Sequence, residues 1–77
     1  MKVVGLYKDL IGKLVRTTHD IHLNSGKIVP AGTVGRIAST WRGRFVLEET
    51  EREKHEGYVI MKIIVRRLHP REFELVE

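Results

Sequence analysis

The stretch that decides the fold is residues 26–37, Gly-Lys-Ile-Val-Pro-Ala-Gly-Thr-Val-Gly-Arg-Ile. A short apolar pair runs into Pro30-Ala31-Gly32, and a second, β-branched run begins at Thr33. Proline fixes φ at the second position of a turn, and a following glycine accepts the positive φ that a tight turn needs. We therefore expect a sharp turn that leads into a strand, with Gly35 as a bulge or a point of close backbone approach.

Length and composition predict one small soluble domain. The 77 residues leave room for a single core. The chain has no cysteine, which excludes disulfides and thiolate metal sites. No apolar run approaches the roughly 20 residues of a membrane span, and the N-terminus lacks the apolar segment of a signal peptide. We expect one domain over residues 1–77, with 1–11 as a lead-in segment, located in the cytoplasm without a membrane partner.

The positive charge is concentrated in the first part of the chain. The formal net charge is +4. Residues 1–47 contain eight Lys or Arg and two Asp, whereas residues 48–77 contain six Lys or Arg and eight Glu. Such asymmetry indicates one basic face and an anionic partner, although a charge of this size also serves solubility alone.

Apolar runs separated by glycine, proline and polar clusters predict five strands. A helical turn that packs Leu10 or Ile11 on the core is expected before the first strand, and Trp41-Arg42-Gly43-Arg44 is typical of a tight hairpin turn. The predicted strands are 13–18, 33–40, 44–49, 58–65 and 72–76; the predicted loops are 19–27, 48–56 and 66–71.

The fourth predicted strand, 58–65, is the longest and is apolar on both faces except at Lys62. This pattern indicates burial on both sides or a face used for contact. The preceding segment, 48–56, contains five Glu and no apolar residue, which predicts a solvated loop or hairpin tip with surface ion pairs. Because nothing resembles a long amphipathic helix, we predict an all-β fold, a small five-stranded barrel with a short helical turn before the last strand.

Four stretches of the chain match a known family of small barrels. They are Gly12-Lys13-Leu14-Val15-Arg16, Pro30 to Ile37, Phe45-Val46-Leu47-Glu48, and Val65 to Val76 with its Leu68-His69-Pro70 turn. In these residues the chain resembles the Src-homology-3-like small barrels, including the KOW-type relatives in ribosomal and transcription proteins. The pattern Pro-x-Gly-Thr-x-Gly-x-Ile is also similar to accessory-subunit barrels of ferredoxin-dependent photosynthetic complexes and of the nitrile hydratase β-chain. The resemblance covers residues 12–77 and implies fold far more than function.

Two features of the first loop bear on function. Src-homology-3 peptide binders use an aromatic-lined groove, and this loop lacks aromatic residues, which argues against recognition of proline-rich peptides. His19, Asp20 and His22 offer metal ligands, but zinc needs three or four donors and the other histidines lie on other loops. We expect polar loop histidines, no metal, no cofactor and no catalytic residue, since no serine has a nucleophile setting either.

A basic cluster with one aromatic residue is the best candidate for a binding site. A tryptophan between arginines at a hairpin tip can stack on a base while the guanidinium groups contact phosphate. The competing interpretation is that Trp41 folds back as a lid on the core and the arginines snorkel. A second cluster, Arg66, Arg67 and Arg71, is diluted by Glu72 and Glu74. The predicted binding residues are Lys13, Arg16, Arg36, Trp41, Arg42 and Arg44.

The face made by Tyr58, Ile60 and Ile64 has two interpretations. If it is exposed, it marks a protein interface or a dimer strand. The pattern favours the other interpretation, in which residues 1–11 cover it.

We therefore predict a non-catalytic binding module that docks an anionic partner through its basic face, with nucleic acid as the first candidate. The alternative is a protein-interaction module, an accessory subunit or a small regulatory protein that binds an acidic protein. An enzyme is the third class and would require a metal at His19 and His22.

Overall fold

The computed structural model describes residues 8–76, and the predicted lead-in falls largely outside them. Residues 8 and 9 are helical, and Leu10 packs against the core, as predicted, while Ile11 is exposed. No helix in the described range is long and apolar enough to cross a membrane. The strands are β1 Leu14–Thr17, β2 Ile21–His22, β3 Ile28–Val29, β4 Val34–Trp41, β5 Arg44–Glu48, β6 Glu53–His55, β7 Tyr58–Ile60, β8 Ile63–Leu68 and β9 Phe73–Leu75, with a 3-10 helix, η1, at Pro70–Glu72 before β9.

The all-β prediction is confirmed by a five-stranded antiparallel sheet in the order β8-β5-β4-β1-β9. The pairs β2–β3 and β6–β7 form two separate two-stranded sheets. Strand β2 lies inside the segment 19–27 predicted as a polar loop, and β3 follows that segment directly. The pair forms because Ile21 and Val29 bury their side chains while their neighbours His22 and Ile28 stay in water. Within residues 8–76, β8 and β9 are the edges of the large sheet and no ladder joins them.

The turn at Pro30-Ala31-Gly32 is sharp, as predicted, but its proline lies one position earlier than expected. Thr33 N donates to Pro30 O (3.3 Å), which makes Pro30 the first residue of the turn. Gly32, with φ of 87°, is the third residue, where a left-handed conformation is required. The aspartate of the first loop supports the turn, since Asp20 Oδ1 accepts from Ala31 N at 2.8 Å.

The hydroxyl of Thr17 joins this turn to the sheet. Thr17 is only 2% exposed. Its Oγ1 donates to Pro30 O and accepts from Thr33 N, both at 3.0 Å. The backbone adds a bond from Gly32 N to Thr17 O and one from Thr17 N to Thr33 O. The turn therefore fixes where β4 begins against β1.

Gly35 is the close-approach point that the sequence predicts. It lies on the buried side of β4 opposite Val15. A Cβ atom built there would lie 2.6 Å from Glu48 O and 2.9 Å from Leu47 Cδ1. Only a residue without a side chain lets β5 pass this close to β4.

The prediction of one long strand over 58–65 is wrong. The chain leaves β7 after Ile60, breaks at residues 61 and 62, and enters β8 at Ile63. The break has a physical cause, because β7 pairs only with β6 while β8 pairs with β5, so the chain must cross between two sheets. The apolar residues of β7 are exposed rather than buried on both sides.

The core lies on one face of the large sheet and beneath the β2–β3 pair. Phe45 and Phe73 meet edge to face there, with ring centroids 5.1 Å apart. Leu10, Leu23, Ile64 and Phe73 pack around the fully buried residues as a partly buried border. The buried apolar residues are Val15, Ile21, Val29, Ile37, Phe45, Leu47, Val65 and Leu68.

Candidate nucleic-acid interface

The β4–β5 hairpin ends in a two-residue turn that presents an aromatic ring and two arginines. Trp41 and Arg44 face each other as the last pair of the ladder, with Arg42 and Gly43 between them. Trp41 is 72% exposed, so the interpretation of this residue as a lid on the core is wrong. The Arg42 guanidinium lies 4.6 Å from the centroid of the indole ring, a cation–π contact. Trp41, Arg42 and Arg44 are hereafter called the hairpin tip.

The turn holds Arg42 in a left-handed conformation. Its φ is 51°, and Gly43 follows with φ of 76°. Two successive positive φ values match the right-handed twist of a hairpin, and Asn-Gly is the pair that accommodates them best. An arginine at the first of these positions costs about 1 kcal/mol relative to such a residue.

The other three predicted binding residues lie away from the hairpin tip. Arg36 is five residues before Trp41 on β4, a span of about 16 Å, and its Nη1 donates to Gly12 O at 3.0 Å. Arg16 is bound by Glu74 through Nε and Nη2 at 3.0 and 2.7 Å, so its charge is balanced. Lys13 is exposed just before β1. The structure thus groups the hairpin tip but separates it from Lys13, Arg16 and Arg36.

A groove next to the hairpin tip contains two arginines that are absent from the predicted binding residues. It has a volume of about 690 Å³ and runs between residues 21–25 and β8. Arg44 lines it and is also part of the hairpin tip, so the two features are continuous. Arg66, Arg67 and Glu72 line the same groove. The sequence shows the basic pair, but not that the first loop folds beside it.

The apolar face predicted from Tyr58, Ile60 and Ile64 is divided between two elements. Tyr58 and Ile60 lie on the β6–β7 hairpin and are 60% and 36% exposed. Ile64 lies on β8 and packs against the core. The covering segment that we expected lies mostly in residues 1–7, outside the described residues. Val59 and Met61 add to the exposed apolar surface of this hairpin.

Ion pairs organise the acidic segment at the far end of β5. Arg52 donates Nε and Nη2 to the two carboxylate oxygens of Glu48, at 3.0 and 2.9 Å, and this contact raises the pKa of Arg52. Glu48 is 2% exposed, so the prediction of a wholly solvated segment is wrong at this residue. Hydrogen bonds from His55 (2.8 Å) and then Lys62 (3.0 Å) lower the pKa of Glu53. Glu53 in turn raises the pKa of Lys62.

The residues of the first loop that resemble metal ligands have separate structural roles. Asp20 accepts from Ala31 N, whereas His19 Nε2 lies 3.9 Å from Glu72 Oε2. His22 is exposed on β2 beside the groove. Across residues 8–76, no three His, Asp or Glu side chains converge in a way that would hold a metal ion.

Comparison of the chain with protein-family models, with curated proteins and with solved structures gives no match. The surfaces from which a function can be inferred are therefore the hairpin tip, the groove and the β6–β7 hairpin.

Proposed function

We propose that this protein is a non-catalytic module that binds nucleic acid through the hairpin tip. The observation that carries the proposal is the exposed Trp41 ring, flanked by Arg42 and paired across the ladder with Arg44. Aromatic rings stack on bases of any sequence, and arginines contact the adjacent phosphates. This combination of groups fits a ligand that has both flat apolar rings and negative charge.

The charge of the hairpin tip supports this function. In the part of the chain that the structure describes, the guanidinium group of Arg44 has no hydrogen bond or ion pair, and that of Arg42 contacts only the indole ring. Arg16, by contrast, is neutralised by Glu74. Cations without internal partners remain available to phosphates.

The backbone of Arg42 is a second support. Its left-handed conformation costs about 1 kcal/mol, and residues in such strained conformations are concentrated at functional sites. Asparagine would relieve the strain but would remove the guanidinium group. A role in ligand binding therefore explains an arginine at this position better than a role in stabilising the fold.

We also propose that the fold is a Src-homology-3-like small barrel. The support is the order β8-β5-β4-β1-β9 together with a long first loop and a 3-10 turn between β8 and β9. Barrel closure would bring the ends of this order together, and it is tested by amide-to-amide distances between β8 and β9 in an NMR structure. A flat sheet without such contacts would contradict it.

Fluorescence anisotropy with labelled single-stranded and duplex oligonucleotides, at about 50 mM salt, tests the function. Trp41→Ala should weaken binding by about 5- to 100-fold, the equivalent of one lost stacked base. Trp41→Phe should retain most of the affinity, because phenylalanine keeps a stacking surface.

Tyr58→Ala is the matched control, since it removes another exposed aromatic ring from a different hairpin. Its affinity should equal that of the wild type. Absence of binding to both oligonucleotides at low salt would overturn the proposal.

A second candidate function is recognition of a protein partner through the β6–β7 hairpin. The observation that favours it is the exposure of Tyr58, Val59, Ile60 and Met61 on one small element. Apolar groups clustered in this way at a surface are typical of protein interfaces.

Its test is a nuclease-treated pull-down that compares two variants. Ile60→Asp should abolish capture of a stoichiometric partner, while Arg44→Ser should not. Equal capture by both variants would exclude the hairpin as the interface.

A further inference from the structure

The groove beside the hairpin tip is lined by apolar residues, here called its floor, and by Arg44, Arg66 and Arg67, here called its rim. The floor consists of Ile21 and Leu23 of the first loop and Ile64 and Val65 of β8, of which Leu23 and Ile64 are partly exposed. The volume of the groove, about 690 Å³, falls within the range of about 300–1,000 Å³ that encloses small organic ligands. It is large enough for one or two nucleotides.

A β-bulge in β8 exposes two consecutive arginines of this rim. Leu47 pairs with Val65, and Phe45 pairs with Leu68, so three steps on β8 match two on β5. Val65 and Leu68 both point into the core, while Arg66 and Arg67 between them are both exposed. In a regular strand one of the two would face inward, so the bulge is what places both charges outside.

These charges have no partner within residues 8–76. The guanidinium groups of Arg66 and Arg67, like that of Arg44, form no hydrogen bond or ion pair there. The one acidic residue of the lining, Glu72, is engaged elsewhere, because its Oε1 accepts from His69 N at 2.7 Å and caps η1. The groove therefore presents three cations to one carboxylate that is already hydrogen-bonded.

The shape of the groove discriminates between forms of nucleic acid. A duplex presents its phosphates on a convex surface and keeps its bases stacked inside, so its bases cannot reach an apolar floor. A single strand can splay its bases into a concave site while its backbone follows the basic rim. Arg44 connects this rim to the exposed ring of Trp41.

We propose that the groove binds single-stranded nucleic acid, which stacks one base on Trp41, passes Arg44 and places the next nucleotides between residues 21–25 and β8. This inference rests on the proposed function, and it specifies the ligand and a second site. Arg66 and Arg67 contact the backbone, and the apolar floor contacts the bases.

Anisotropy titrations with a labelled oligothymidylate of ten nucleotides and with a mixed-sequence duplex of ten base pairs test this inference. The wild type should bind the single strand about ten-fold or more tightly than the duplex. The double variant Arg66→Ser/Arg67→Ser should lose about ten-fold or more of its affinity for the single strand and little for the duplex. Both residues are exposed, and far-ultraviolet circular dichroism verifies that the variant folds.

Lys54→Ser/Lys27→Ser is the matched control, since it removes the same charge from exposed lysines outside the groove lining. The fold-loss of its affinity for the single strand should be less than half the fold-loss of the arginine variant. Equal affinity for single strand and duplex, or equal losses in the two double variants, would overturn the inference but leave the proposed function intact. Binding to neither oligonucleotide would overturn both the inference and the proposed function. Displacement of the single strand by an oligoglutamate peptide at equal concentration would show that the protein recognises charge alone, and this result would overturn the inference.

Discussion

Gly35 lies where β4 passes close to β5, because a Cβ atom at this position would lie 2.6 Å from Glu48 O. Its neighbour in the same stretch, Gly32, differs in kind, because nothing lies within 4 Å of the position of a Cβ atom there. Gly32 is required for its left-handed backbone and Gly35 for its missing side chain. Of the two glycines, Gly35 has the tighter steric limit.

Asparagine substitutions separate the two requirements. Gly32→Asn should cost about 1 kcal/mol or less, because asparagine tolerates the left-handed region. Gly35→Asn should cost about 3 kcal/mol or more, since the side chain meets the backbone oxygen of Glu48. Urea denaturation followed by circular dichroism measures both, and equal losses would contradict this assignment.

Thr17→Val tests the hydrogen bonds that hold the first turn. The substitution keeps the side-chain shape but removes the buried hydroxyl that donates to Pro30 O and accepts from Thr33 N. We expect a loss of about 1–3 kcal/mol in the free energy of unfolding. Thr40→Val is the control, because its hydroxyl makes one bond, to Arg44 O, near solvent; a loss as large as that of Thr17→Val would count against the turn as the cause.

At the scale of elements, Arg42 in the turn of the β4–β5 hairpin should lower the stability of the fold and raise the affinity for nucleic acid. Arg42→Asn should raise the free energy of unfolding by up to about 1 kcal/mol, because Asn-Gly suits two successive positive φ values. The same variant should bind single-stranded DNA more weakly than the wild type. Urea denaturation and anisotropy on one protein sample measure the two effects, and a gain in both would exclude a role for the guanidinium group in binding.

The β6–β7 hairpin depends on pH through Glu53. Its pKa is lowered by His55 and Lys62, so the ionised form is favoured in the folded state. The contribution of these contacts is therefore complete above the unfolded pKa of about 4.3 and is lost as the pH falls through the lower folded pKa. An NMR titration should show that the Glu53 carboxyl titrates below its usual range. The signals of the Tyr58 ring, which is stacked on His55, should change over the same pH range. Titration at or above the usual value would contradict these contacts.

The sequence predicted these elements unevenly, and the reasons are physical. Local signals gave the Arg42-Gly43 turn, the turn ending at Gly32 and the 3-10 turn after His69, because glycine and proline act on the backbone directly. The bulge at Arg66 and Arg67 was missed, since it depends on a register with β5 that no local pattern encodes. The groove was missed for the same reason: it requires the first loop to fold beside β8.

At the scale of the whole molecule, the affinity for nucleic acid should depend strongly on the salt concentration. If Arg42, Arg44, Arg66 and Arg67 each contact a phosphate, the logarithm of the affinity should fall with the logarithm of salt concentration at a slope of about −2.8 for a single strand. Raising salt from about 50 to 200 mM should then weaken binding about 50-fold. Each arginine replaced by serine should reduce the slope by about 0.7, and a slope near zero would exclude phosphate contacts.

The exposed position of Trp41 has a spectroscopic consequence. It is the only tryptophan of the chain and its ring lies mostly in water in the native protein. Its emission maximum should therefore already be that of a hydrated indole, so a denaturant titration followed by intrinsic fluorescence should show almost no transition while circular dichroism records one. For the same reason, iodide should quench the native protein efficiently, and a stacked base should shield the indole from the quencher. The chain thus carries a built-in fluorophore that is insensitive to unfolding and sensitive to what lies on the hairpin tip.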